Sequence, residues 1–211
     1  MAARLVTISH ASGAGGDGVG RLVAERLRFR YIDEEVIALA AEKEGLDAEV
    51  VADAERRKGL LDRLIADFSV THLAAADGSL FWSPHAARAA RRDDLRTLIV
   101  EAIRETARRG DAVIVAHAAS IPLAGSAGLL RVLVTASLET RVRRVAESTR
   151  RPVTEVAQFV NDSDAGRAAY FERFYGIARE LPTHYDLVVN TDVLTVEDAV
   201  DIVVSAAHRR F

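Results

Sequence analysis

"ISHASGAGGDGVGRLVAERL", residues 8–27, is the stretch on which the reading of this chain turns. It runs from an apolar strand end through a glycine run into an amphipathic helix. Glycines 13, 15, 16, 18 and 20 fall within eight residues. A helix N-terminus offers unpaired backbone N–H groups and a positive dipole end. Glycine in the turn before it lets the backbone approach an anion closely. The stretch therefore predicts an anion-binding βα loop; the competing reading is a tight turn that merely needs glycine. The Walker pattern G-x-x-x-x-G-K-[ST] lacks both its lysine and its hydroxyl here, and Asp17 stands where a cation would be useful. The dinucleotide pattern G-x-G-x-x-G is met by Gly13, Gly15 and Gly18. It also calls for an acid at a strand end about 20 residues on. Asp33 comes 15 residues after Gly18.

Outward from the loop, five short apolar runs read as strands: Leu5–Ser9, Arg30–Asp33, Ala112–His117, Arg131–Ala136 and Asp186–Thr191. They are rich in Val and Ile without strict polar alternation, as in a parallel sheet covered on both faces. Helical patterns lie between them. "DDLRTLIVEAIRETARRG" puts Leu95, Leu98, Ile99, Ala102, Ile103 and Ala107 on one face and stops at Gly110. "SLETRVRRVAEST" starts at a Ser137/Thr140 cap, and its arginines read in part as a solvated face. "TVEDAVDIVVSAAHRR" starts at the capping pattern Thr195-x-x-Asp198. This alternation predicts right-handed βαβ crossovers in a three-layer α/β domain spanning residues 1–211. Two segments interrupt it. Residues 34–75 read as continuous charged helix, a surface through which a second copy could pair. Residues 148–184 are polar, arginine-bearing and aromatic, and read as a helical lid. Between them, residues 74–90 form a loop containing Trp82, the one tryptophan.

The composition narrows the function. The formal charge of −3 over 211 residues argues against a general nucleic-acid binder, which shows a basic surplus. No cysteine is present, so disulfides, thiolate metal sites and cysteine nucleophiles are excluded. No apolar run approaches the ~20 residues that span a bilayer. The opening residues show no leader-type pattern, and the expectation is a cytoplasmic protein.

Six segments taken in order are similar to the cytidylate kinase-like family, a branch of the P-loop nucleoside monophosphate kinases. They are "ISHASGAGGDGVGRLVAERL", "FRYIDEEVIALAAE", "GDAVIVAHAASI", "VLVTASLETRVRRVAE", "DAGRAAYFERFYG" and "YDLVVNTDVLTVEDAV". The resemblance implies a P-loop nucleoside kinase-like fold, with a five-stranded parallel sheet in the order 2-3-1-4-5. It implies a phosphate loop after strand one, an acceptor region within residues 34–95, and a lid over 148–184. It implies ATP with Mg²⁺ as donor and a nucleoside monophosphate or other small acceptor. Carried over residue by residue, the phosphate and nucleotide site falls on His10, Gly13, Gly15, Gly16, Asp17 and Gly18. The acceptor site falls on Asp33 and His117, and catalysis on Asp164 and Arg167 in the lid.

The departures from that family bear on the chemistry. The family reads S-R-x-x-G-S-G-G-R-E after strand one, with His10 and Asp17 at the two arginine positions here. Ordinary cytidylate kinases carry the Walker lysine at Gly16, and Ser and Thr at Asp17 and Gly18. The family's G-R-G-A is here Ala116-His117-Ala118-Ala119. The lid's D-x-x-R-x-R-Y-Y survives as Asp164, Arg167, Tyr170 and Phe171, with Ala169 at the second arginine. Three to four positive charges are thus gone. A unit charge at about 4 Å is worth roughly 4 kcal/mol at an effective dielectric of 20, so the change matters for phosphoryl transfer. Asp17 holding Mg²⁺, the lid arginines Arg150, Arg151, Arg167 and Arg173 folding over the phosphates, or a smaller ligand would each restore the balance. Lysine and serine installed at Gly16 and Asp17 would be expected to restore nucleotide affinity in an otherwise intact pocket.

Several residues have plainer readings. Asp33 serves equally as a helix cap, His10 and His117 as pocket lining or as metal ligands with Asp17, and Asp164/Arg167 as a surface pair. At the level of function, a non-catalytic nucleotide-sensing or interaction module on the same fold stands against the kinase. A Rossmann-type dinucleotide binder would need residues 30–33 as a full strand.

Overall fold

The computed structural model describes residues 4–33, 97, 100–101, 103–116 and 118–211. The helical reading of 34–75, the loop at 74–90 and His117 lie outside the described residues.

Five strands form one parallel sheet: β1 (Leu5–His10), β2 (Arg30–Ile32), β3 (Ala112–Val115), β4 (Leu129–Thr135) and β5 (Leu187–Asn190). Their order is β2-β3-β1-β4-β5, as the family resemblance implies. Leu5 sits in register with Ala112 on one side and Leu129 on the other, which makes β1 the central strand. Its first five residues are all buried. The expected strands are all present with shifted ends. β4 starts two residues early, at Leu129, because Leu129 and Leu130 already pair with β1. β2 and β3 stop short, at Ile32 and Val115.

Side chains divide by the two-residue strand period. Val6, Ile8, Val113, Val115, Val132, Val134 and Val189 face helices α1 (Gly16–Leu27) and α4 (Val196–Arg210), meeting Val19, Val23, Val200 and Val203. Leu5, Ile32, Ala112, Ile114 and Leu129 face the other way, onto Ile103 and Ala107 of the helical residues 103–108. The sheet is thus covered on both sides, which explains the lack of polar alternation in the strands. Close approach sets one glycine. A Cβ on Gly20 would run into Val115 of β3, so α1 lies nearer the sheet than any other residue allows.

After β4, α2 (Leu138–Thr149) and α3 (Val153–Tyr175) pack through Val142, Ala146, Val156 and Val160. Both sequence-read caps form. Ser137 Oγ accepts from Thr140 N, and Thr195 and Asp198 cap each other reciprocally. The segment read as a lid contains the end of α2, the whole of α3 and a 3₁₀ turn at Pro182–His184. α3 breaks at Gly176 in the left-handed conformation (φ 65°). Its Tyr170 and Phe171 are buried with Ala118.

Candidate active site at the glycine loop

In a parallel sheet all carboxyl ends share one edge, and ligands bind where the winding reverses. Here the chain leaves β1 toward β2 and later crosses from β3 to β4 on the other side of β1. The glycine loop follows β1 at that point. Gly13 (φ 83°) and Gly15 (φ 84°) are both left-handed, a region that disfavours any side chain. A Cβ on Gly13 would also lie 2.7 Å from Arg141 O, so the loop rests against the first turn of α2. Thr191, after β5, is buried; its hydroxyl donates to Ala14 O at 2.9 Å and accepts from Arg144 Nη1 at 3.0 Å. The loop is therefore pinned from two sides. Helix α1 starts at Gly16, straight after Gly15, so the positive end of its dipole lies at the loop.

The side chains around this backbone pair with one another. His10 Nε2 lies 3.3 Å from Asp17 Oδ1, and His10 Nδ1 lies 3.3 Å from Ala11 O. Both neighbours are acceptors, so whichever ring nitrogen carries a proton has one to donate to. His10 is largely buried and Asp17 is exposed. The His10 ring and Cβ occupy the space where a side chain on Gly16 would begin.

Behind the loop is a cavity of about 210 Å³ lined by Ala11, Thr135, Arg141, Asp164, Arg167, Phe171 and Glu180, among others. Arg167, 6% exposed, lies over the Phe171 ring. It donates to both carboxylate oxygens of Glu180 (2.9 and 2.8 Å), to Ser9 Oγ (2.8 Å) and to His10 O (3.1 Å). Arg141, 7% exposed, makes a two-pronged pair with Asp164 at 2.9 and 2.7 Å. Its Nε, also buried, has no hydrogen-bond partner among the described residues. Tyr185 Oη donates to Glu180. Burial pushes this phenol up to about 12, with the Glu180 carboxylate adding to the shift.

The structure thus brings His10, Gly13, Gly15, Gly16, Asp17 and Gly18 together as one loop, and places Asp164 and Arg167 beside it. Asp33 follows β2 at the same sheet edge, half-buried. Of the other lid arginines, Arg151 pairs with Glu155 and Arg173 lies by Phe174. The sequence reading passed over Arg141, Glu180 and Thr191. Arg141 stood in an arginine cluster whose inward member no periodicity singled out, and Glu180 and Thr191 act through contacts with side chains and backbone of other elements.

For ATP and Mg²⁺ the two halves of the site answer differently. The backbone cradle suits a phosphate. The side-chain half does not suit the Walker arrangement, because the lysine's place is filled by His10. Among the described residues no group of three His, Asp or Glu side chains could hold a metal. Asp17 could share Mg²⁺ only with a bound phosphate, the way this ion is often held.

A glycine loop between the central strand and first helix of a 2-3-1-4-5 parallel sheet defines an α/β kinase fold of the P-loop class. The chain belongs to the cytidylate kinase-like family, whose model matches residues 5–193. Over 117 residues it is 33% identical to the cytidylate kinase of Aeropyrum pernix, a match covering 56% of this chain and 64% of that relative. An uncharacterized protein from Eubacterium ventriosum superimposes with a TM-score of 0.70 at 15% identity, over 98% of this chain and 99% of that one. Shikimate kinase from Bacteroides thetaiotaomicron gives 0.52 at 14% identity, with the same coverage. At these identities the two structures share the fold.

Proposed function

We propose that the chain binds a nucleotide at the Gly13–Gly18 loop and moves a phosphoryl group from ATP, with Mg²⁺, to a nucleoside monophosphate or other small acceptor. The observation that carries this is the pinned loop. Gly13 and Gly15 hold left-handed turns at the reversal point of a kinase sheet, and the N-terminal end of α1, with its dipole, opens directly from them. In this reading the backbone of the glycine loop and the start of α1 take the phosphates, His10 lines their path, and Asp17 would help to hold the ion that the phosphates carry. ATP supplies the transferable group. Asp33 and His117 take the acceptor. Asp164 holds Arg141 in the cavity wall, and Arg167 anchors the end of β1. Arg167 reaches a phosphate only by leaving Glu180 and Ser9.

A second reading, a non-catalytic nucleotide-sensing or interaction module, is favoured by one observation. Arg141, Arg167 and His10 each pair with a carboxylate of the same chain. That leaves less charge to steady a transferring phosphoryl group.

Calorimetric titration with ATP, with and without Mg²⁺, tests both, followed by ADP release with a panel of nucleoside monophosphates. Mg²⁺-dependent micromolar binding with turnover supports the kinase. Binding without turnover supports the module. No heat at millimolar ATP rejects nucleotide binding altogether.

A further inference from the structure

The Walker pattern, aligned with its second glycine on Gly15 and its lysine on Gly16, puts its first glycine at residue 10. This chain has the reverse: a side chain at 10 and none at 16. The structure shows why the two changes belong together. Gly16 is helical, with no positive φ, so its own backbone does not call for glycine. What excludes a side chain is His10. A Cβ on Gly16 would meet Cβ, Cγ and Cδ2 of His10 closer than real Cβ contacts occur, and these atoms lie at the rigid base of the side chain. The ring then runs across the start of α1 to Asp17.

We infer that His10 and Gly16 have exchanged the two volumes of the phosphate loop, so that the side chain over the loop leaves from residue 10, held by Asp17. His10 is then the side chain that fills the start of the loop, and Asp17, 3.3 Å from its Nε2, is its positioning residue. A lysine at 16 cannot be accommodated until residue 10 is made small. On this packing, lysine and serine at 16 and 17 restore nucleotide affinity only together with a small residue at 10. The steric half of the inference stands apart from the proposed function; the ligand half rests on nucleotide binding at this loop.

The steric half has a sign test. Gly→Ala at an unobstructed helical position stabilises. Here Gly16→Ala should instead lower Tm, on the order of 5 °C, because it overpacks against His10. In the His10→Ala background the same change should raise Tm. Thermal melts of the wild type, both single variants and the double variant close the cycle. If Gly16→Ala leaves Tm unchanged or raises it in the presence of His10, the inference is overturned. If Gly16→Ala fails to fold and His10→Ala/Gly16→Ala folds, it is supported; if neither folds while His10→Ala does, it is overturned. For the ligand half, ADP is titrated into Gly16→Lys and His10→Gly/Gly16→Lys. The double variant should bind at least tenfold tighter than the single one. Equal tightening in both overturns the exchange. Absence of ADP binding in every variant, including the wild type, rejects nucleotide binding at this loop and the ligand half with it, while the melts still decide the packing.

Discussion

At the residue scale, Tyr185 shows how one buried group ties the cavity wall to pH. Its phenol is raised to about 12 by burial and by the Glu180 carboxylate it donates to. An unfolded tyrosine titrates near 10. The folded state therefore holds the proton more tightly, and this contribution is complete below about pH 10. It is lost as pH rises from about 10 toward 12. Tyr185→Phe should cost about 1 kcal/mol at pH 7 through the lost hydrogen bond, and should lose less stability than wild type between pH 9 and 11. Urea unfolding at those three pH values checks this; equal alkaline losses in the two proteins would refute it. The sequence marked His10, Asp17, Asp164 and Arg167 as site residues, and the structure brings these four into one neighbourhood around the loop and the cavity. It could not show that His10 packs on Gly16, since a six-residue separation becomes a contact only through the loop's two left-handed glycines.

At the element scale, helix ends were the most legible feature, because a cap involves residues three apart. Thr195 and Asp198 form the reciprocal cap that their spacing announces, and their bonding holds the Asp198 carboxyl below its usual range. Thr195→Ala should destabilise the protein by about 1 kcal/mol, read as a shift in the urea midpoint at unchanged m-value. The Arg141–Asp164 pair joins α2 to α3 and was not legible, since it spans 23 residues between two helices whose mutual angle no pattern specifies. Asp164→Asn leaves the buried Arg141 guanidinium with weakened compensation. Because Asp164 itself is partly exposed, the expected cost is about 2 kcal/mol, under the range for a fully buried pair. A chemical denaturation curve indistinguishable from wild type would refute that role. Strand ends were misjudged by a residue or two, because a strand stops where its neighbour stops pairing.

At the scale of the whole molecule, acid should weaken the β4–β5 edge of the sheet, where a carboxylate bridges segments 55 residues apart. Asp186, just before β5, bonds Arg131 of β4 through both side chain and backbone, and Arg131 holds its carboxyl below the usual range. A depressed folded pKa means that this contribution is present above about pH 4, the unfolded value, and is lost as pH falls through the folded one. Asp186→Asn should lower Tm at pH 7, and its Tm should converge on that of wild type by pH 2–3. Parallel Tm curves across that range would count against this bridge.

Periodicity, capping patterns and the glycine run were enough to determine the class of fold, the five strands and the position of the loop. These are local properties: which face of a strand or helix is apolar, and where the backbone must turn, are written in neighbouring residues. The order of the strands came from resemblance to a family, since nothing local states which strand lies beside which. Only the tertiary structure decided how the site is charged. Arginines and carboxylates far apart in the chain are brought into pairs around one cavity, and His10 settles into the space that Gly16 leaves. Those outcomes depend on distances between elements, which a linear pattern does not contain.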